Sequence, residues 1–465
     1  MSEEVGSASP SSSPSLPPAD RPSRWTTAGR AFIGALLGGT AGALAAILTT
    51  QLIKWMLEVL AEQRTWMYLV MPLVAVCLSV LVLNVVAQGE AVQRIVPLRF
   101  WRGRATSKWY VFPRDVARAD LTADVVATAG EEEKFPWRLA PIRAVAILAT
   151  VGLGAPMGTE APAAHLGVAA GSWLKAKAHW RPFVRPAAIA GGAAGVAALM
   201  GIPLVGTAFM LELGRRRGAP LSFERVVAAL IGGLVGWELN VVLGLNLIRL
   251  VVPKVPPADL TDAVLAALCI GAIAGAVTSI TGALIYEVRG WKAGPVRKLV
   301  VGGLAMLAGA IAVSLVATPA AAVGPGGAAI VWAETTQTAA LTLLALGLLR
   351  AAMTISAVAA GGCGGVFVPF LAIGDITGRV FSEVFGVPPD LAGSAGAAAG
   401  IAGGYRLPWT AVMMVLGVGG PYAAMLTCLA TVGVATAAAI ISARGLTHVI
   451  DWIAHRPQPT PVELQ

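Results

Sequence analysis

Fourteen apolar segments follow one another along this chain, and several are too short to cross a bilayer. They lie at roughly 30–60, 66–87, 140–156, 163–174, 184–200, 203–213, 224–250, 261–287, 298–318, 338–358, 366–384, 391–402, 408–418 and 422–442. A helix needs about 20 residues to span the hydrocarbon core. Segments 163–174, 203–213, 391–402 and 408–418 fall well short of that. Gly or Pro opens or closes most of them. Broken helices survive at membrane depth only when protein buries them or when they line a cavity. They are the strongest pointer in a sequence to a transport site.

The chain has 465 residues, of which 56% are hydrophobic and only 13% charged, with a mean hydropathy of +0.75. A soluble protein carries about a quarter charged residues. Folding alone cannot hide this much apolar surface from water, so lipid must cover the remainder. The formal charge of +9 does not indicate nucleic acid, because the basic residues sit in short loops between apolar runs. There they set topology and meet headgroups. Cys77, Cys269, Cys363 and Cys428 lie in apolar stretches with no CxxC or His-paired pattern. They read as small buried hydrophobes, and no disulfide or metal site is implied.

These features predict an all-α polytopic membrane protein. Residues 1–24, rich in Ser and Pro, read as a disordered tail with no signal-peptide h-region. A membrane domain is expected over 25–450, with a short tail at 451–465 and no soluble domain after the last segment. Within it, 97–138 is polar and mixed in charge and reads as a water-exposed insertion. The excess of Arg and Lys in its first half, the run Arg215–Arg217, and Arg21, Arg24 and Arg30 assign these loops and the N-terminus to the cytoplasmic side. Trp residues near segment ends fit an aromatic belt.

Two signatures recur. Gly158, Pro162, Gly167 and Gly171 are matched by Gly365, Pro369, Gly374 and Gly378, each at an offset of 207 (365 − 158). Downstream, Pro203 and Pro408 differ by 205. The chain therefore reads as two repeats, about 30–250 and 260–450, of inverted topology, with broken helices and a substrate between them.

Each signature sets Gly and then Pro before a Gly-spaced apolar helix. Pro is favoured in a first helical turn, and Gly lets the backbone turn and approach a ligand. The product is a helix N-terminus with free N–H groups, about half a positive charge, and an affinity for anions. Two such ends converging would hold an anion without a full opposing charge, so the anion could also leave. Glu160 stands at one of these ends. It reads either as a simple first-turn acid or as a carboxylate that competes with the transported anion and releases the site on protonation.

At these residues the chain resembles the CLC family of chloride channels and chloride/proton antiporters. Gly158-Thr159-Glu160-Ala161-Pro162 is similar to that family's Gly-Arg-Glu-Gly-Pro segment, and Gly364-Gly365-Val366-Phe367-Val368-Pro369 to its Gly-x-Phe-x-Pro segment. Ile202-Pro203-Leu204-Val205-Gly206, running to Glu212, resembles its Ala-Pro-Leu-Ala-Gly helix. The resemblance implies a homodimer with one anion path per subunit, lipid around it, and chloride as the transported ion with no cofactor. It implies Glu160 as the gate. Chloride ligands would be the N–H groups of Val366 and Phe367 with the backbone at Gly158. The family's Gly-Ser-Gly-Ile-Pro motif is degraded; its expected counterpart, Ala87-Gln88-Gly89, sets Gln88 where Ser stands, and an amide can still donate to an anion. Thr159 replaces the family's Arg. Thr447 is the nearest candidate for its central Tyr. Leu213 stands at the inner proton glutamate of the antiporters, with Glu212 beside it as a substitute candidate. That loss favours a passive chloride channel in a bacterial plasma membrane. A chloride/proton antiporter is the alternative, and a fluoride or other anion transporter a second.

The remaining polar residues read as structural. Asp375 is expected to be paired or at a helix end, Glu238, Glu287 and Glu334 interfacial, and His165 a satisfied core histidine. No HExxH, GxSxG or supported Ser/His/Asp pattern occurs, so no catalytic or metal site and no enzyme is expected.

Overall fold

The computed structural model describes residues 24–87, 94–96, 107–109, 119–245, 257–336, 338–423 and 426–454. The long apolar runs form long helices, the second of which accommodates one internal proline, Pro72. α1 (Arg24–Ala61) and α2 (Thr65–Ala87) lead to a short antiparallel ribbon, β1 (Arg94–Val96) with β2 (Ser107–Trp109), in which Ile95 faces Lys108. α3 (Leu121–Ala127), capped by Asp120, and α4 (Ala140–Ile147), extended by a π turn over Leu148–Gly152, follow. α5 (Glu160–Ser172), α6 (Val184–Met200), α7 (Pro203–Arg216) and α8 (Phe223–Val242) complete the first half. The second contains α9 (Leu260–Gly290), α10 (Pro295–Val316), α11 (Gly327–Thr335), α12 (Ala340–Ala359), α13 (Phe367–Arg379) and α14 (Ser382–Phe385). It ends with α15 (Pro389–Gly400), extended by a π turn over Ile401–Tyr405, then α16 (Pro408–Ala423) and α17 (Leu426–Ala454). Among the described residues, eight helices are long and apolar enough to cross a membrane. Large apolar side chains such as Leu48, Trp55, Leu315 and Leu341 face outward, as lipid contact requires.

The two halves match element for element at the core. α5 and α13 are each 13 residues long, and both their ends are offset by 207 (367 − 160, 379 − 172). α6 spans 184–200 and α15 with its π turn spans 389–405, an offset of 205 at both ends (389 − 184, 405 − 200). Their packing repeats too. A Cβ added at Gly167 would strike the Gly191 carbonyl, and one at Gly374 would strike that of Gly396. The same relation joins Gly171 to Ala187 and Gly378 to Ala392. Small residues let these backbones touch, which is the means of association open to helices in lipid.

The packing also fixes direction. Gly34, Gly38 and Gly42 of α1 meet Pro186, Ala187 and Gly191 of α6 in order, so the two run parallel; Gly232 and Gly236 of α8 meet Ala190 and Ala194. α9 and α17 are likewise parallel, through Gly271 with Ala435 and Gly275 with Ala439. The ends of this second set reach the face where the first set begins. There Arg216 of α7 lies over the Tyr405 ring, 5.4 Å from its centroid, and Arg406 donates to Thr447 of α17. The repeats are therefore inverted.

Residues 119–138 correct the expectation of a wholly water-exposed insertion. Leu121, Val125 and Phe135 are buried in the main core. Three of the acids in this stretch are tied to the helices by ion pairs. Asp120 binds Arg289 at 2.7 Å, Asp124 binds Arg143, and Glu132 binds Arg225 at 2.9 Å and Arg185 at 3.7 Å. The expected N-terminal tail, up to residue 23, and much of 97–118 lie outside the described residues. The expected C-terminal tail begins inside α17, which runs on to Ala454.

Candidate functional site

The site forms where both repeats break in the same way. After α4 and its π turn, Gly154 turns the chain with φ +88°; after α12, Gly361 does so with φ +95°. These left-handed positions suit Gly alone, and they too are 207 apart (361 − 154). The Ala155 N–H then bonds Thr150 O, and the equivalent Gly362 N–H bonds Ala357 O, both at 3.0 Å. Short extended stretches follow and meet at Gly158 and Gly365. Thr150 Oγ1 accepts from the Cys363 N–H at 3.0 Å, and Thr354 Oγ1 donates to Pro156 O at 3.3 Å, tying the two breaks together.

α5 and α13 therefore start side by side. Their first helical bonds run from Ala163 N–H to Thr159 O (2.8 Å) and from Phe370 N–H to Val366 O (3.0 Å). Pro162 and Pro369 lack an N–H. The N–H groups of Thr159, Glu160, Val366, Phe367 and Val368 thus have no backbone acceptor among the described residues, as helix geometry demands. Two helix ends, each with a partial positive charge, face one region.

Glu160 occupies that region. It is fully buried. The Thr159 hydroxyl donates to its Oε1 at 3.2 Å, and the N–H groups of Glu160, Val368 and Thr159 face the carboxylate. Oε2 has no hydrogen-bond partner among the described residues. A Cβ at Gly158 would stand 2.5 Å from Oε2 and 3.2 Å from Pro369 Cδ, so the carboxylate packs directly over Gly158.

A cavity of about 360 Å³ opens from Glu160, Thr159 and Val368 toward Lys54, Glu58 and Tyr68 near the α1–α2 turn. Its wall at Gly324 is held by Arg350, a buried side chain on α12. Arg350 donates to the carbonyls of Ala321 (3.2 Å), Ala322 (3.0 Å) and Gly324 (2.7 Å). No carboxylate lies within ion-pair distance of it among the described residues, so its charge favours an anion in the adjoining space.

Phe367, Phe209 and Tyr405 pack ring on ring, with centroids 5.6–6.2 Å apart. The Tyr405 hydroxyl and Thr122 Oγ1 are 2.6 Å apart. Phe209 and Tyr405 thus pack against Phe367, at the start of α13. Glu212 lies nearby but is occupied. Its Oε1 accepts from the Trp409 N–H (2.9 Å), and its Oε2 from the N–H (2.8 Å) and hydroxyl (2.6 Å) of Thr410, which caps α16. Leu213 is buried beside it.

The structure thus gathers Gly158, Glu160, Val366 and Phe367, as the sequence suggests. Glu212 meets α16 rather than Glu160. Thr447 lies elsewhere, hydrogen-bonded by Arg406 at 3.2 Å in a separate cavity. Tyr405, not Thr447, is the hydroxyl-bearing side chain packed on Phe367. Gln88 lies outside the described residues. Asp375 pairs with Arg379 at 2.9 Å, and Glu334 meets the same Arg379 at 3.5 Å. His165 is buried, 3.2 Å from Arg143 Nη1, with its ring tilted against Phe135 at a centroid distance of 5.0 Å. Tyr405, Thr122 and Arg350 escape sequence reasoning. The one available signal for Tyr405 is its position just before Pro408, the start of a repeated helix.

The sequence model of the family described as Voltage gated chloride channel matches residues 108–440. The H(+)/Cl(-) exchange transporter ClcA of Yersinia pestis bv. Antiqua (strain Angola) is 30% identical over 309 residues, 63% of this chain and 64% of that protein. ClcA of Yersinia pseudotuberculosis serotype O:3 (strain YPIII) gives the same figures. The match thus spans 64% of the length of these curated relatives. Among solved structures, a CLC-type fluoride/proton antiporter superposes with a TM-score of 0.71 at 19% identity, covering 91% of this chain and 98% of its own. A slow cyanobacterial Cl-/H+ antiporter gives 0.65 at 19%, covering 92% and 99%. At this identity the structural likeness bears on the fold.

Proposed function

Because the chain belongs to the voltage gated chloride channel family, we propose that it moves chloride across a membrane in exchange for protons, with Glu160 as both gate and proton carrier. The observation that carries this reading is the Glu160 carboxylate. It is buried between two helix N-termini, has one oxygen without a hydrogen-bond partner among the described residues, and lines a cavity. Chloride and this carboxylate seek the same N–H groups. When Glu160 takes a proton from the cavity it loses most of its attraction to the helix ends, and an anion on the Val366 and Phe367 N–H groups replaces it. Binding through helix ends rather than a full cation keeps the anion exchangeable. The curated relatives at 30% identity carry the name of exchangers, which puts exchange ahead of the passive channel expected from sequence.

The channel is the second reading. Leu213 cannot carry a proton, and the Glu212 carboxylate is tied to Trp409 and Thr410. Fluoride enters as a competing substrate because the solved fluoride/proton antiporter shares the fold. Arg185, Arg216, Arg289, Arg406 and Arg444 gather on the face where α1 begins. By the positive-inside rule this face is cytoplasmic, with the N-terminus. The homodimer and the bacterial plasma membrane belong to the same proposal, on the family resemblance.

The test is efflux of chloride, and separately of fluoride, from liposomes containing the purified protein, with external pH recorded at the same time. Chloride efflux that drives protons against their gradient supports exchange. Efflux without proton movement establishes the channel. Fluoride flux alone reassigns the substrate.

A further inference from the structure

A second cavity, of about 430 Å³, lies at the end of α17. Arg406, Arg444, Thr447 and His448 line it over an apolar floor that includes Ala402 and Ile440. Arg406 is the only non-glycine residue with positive φ among the described residues, at 56°. A side chain held in that conformation is strained, and such strain collects at ligand clamps. Here it presents the guanidinium to Thr447, whose Oγ1 accepts from Nη2 at 3.2 Å. Neither Arg406 nor Arg444 has a carboxylate within ion-pair distance among the described residues. Glu212, on the neighbouring α7, spends both oxygens on α16. The cavity lies beside the Ile440–His448 part of α17, on the basic face.

We infer that this cavity binds a phosphate group, carried by an anionic phospholipid or by a soluble phosphate compound. Two guanidinium forks and a hydroxyl match several phosphate oxygens at once. The volume far exceeds a halide, and the apolar floor suits what the phosphate is attached to. Arginines at the end of a membrane span are placed for headgroup contact.

Native mass spectrometry of the detergent-solubilised protein, titrated with phosphatidylglycerol or phosphatidylcholine, tests this. Phosphatidylglycerol is expected to bind the more tightly. Arg406→Gln with Arg444→Gln should weaken it by about tenfold per arginine, while Arg297→Gln, an exposed arginine outside the cavity, leaves it unchanged. Displacement of phosphatidylglycerol by inorganic phosphate would identify a soluble source, and resistance to displacement a lipid source; either supports the site. Equal binding of the two lipids, unaltered binding in the double variant, or an equal loss in Arg297→Gln would overturn it. So would loss of chloride flux by the double variant in vesicles of phosphatidylcholine alone, because the cavity would then belong to the ion path.

Discussion

Gly158 and Gly365 exchange backbone hydrogen bonds: the Gly158 N–H reaches Gly365 O at 2.7 Å, and the Gly365 N–H reaches Gly158 O at 2.8 Å. They are the same position in the two repeats, paired with itself across a local two-fold axis. The pairing explains why α5 and α13 begin together although 207 residues separate them. It also limits what can stand there. Gly158→Ala would drive a methyl group against Glu160 Oε2, and the carboxylate can yield where the backbone cannot. The expected result is faster chloride flux with weaker proton coupling, read in liposomes. Flux and coupling equal to wild type would mean that Glu160 does not rest over Gly158.

Glu160→Gln keeps the shape and removes the charge. The amide competes weakly for helix-end N–H groups, so chloride flux should persist while proton movement falls to background. The dependence of flux on pH should flatten as well. Abolished chloride flux in a folded variant would assign Glu160 to structure and remove the gate from this proposal.

Glu212 makes three hydrogen bonds to the start of α16. Glu212→Ala leaves two backbone N–H groups and a hydroxyl without acceptors, at a cost of about 1–3 kcal/mol. The thermal midpoint in detergent should fall, and Glu212→Gln should restore part of it. Proton coupling should be no worse than the stability loss explains. A stable Glu212→Ala protein that has lost coupling would make Glu212 the inner proton carrier instead.

The parts legible in the sequence share one property: their physics is local. Gly-x-x-x-Pro before an apolar run specifies a helix start wherever it occurs, so α5, α13 and the Glu160 position were readable from spacing. So were the repeats, because close helix contacts demand Gly at fixed intervals. Tyr405 was not readable. It reaches Phe367 only because a π turn and a left-handed Arg406 end the α15 segment, and neither leaves a pattern. Arg350 was invisible because its partners are three carbonyls about 26 to 29 residues away. Residues 119–138 misled because charge reads as water contact. Their acids find arginines on α4, the next helix, and on α6, α8 and α9, farther along the chain.

That buried strap gives the last prediction. Glu132 and Arg225 are both almost wholly inaccessible and lie 2.9 Å apart, and the Gly130 N–H also bonds Glu132 Oε1 at 2.9 Å. Removing one partner of a buried pair strands the other, at about 3–5 kcal/mol. Glu132→Ala should therefore lower the thermal midpoint more than Glu212→Ala does. Glu132→Leu with Arg225→Met removes both charges and should recover most of the loss, since well-packed apolar replacements of buried pairs are often neutral. Transport should follow stability, because the strap holds α3, and through Thr122 the Tyr405 hydroxyl, against the Phe367 end. An unchanged midpoint in Glu132→Ala would show that 119–138 does not brace the transport domain.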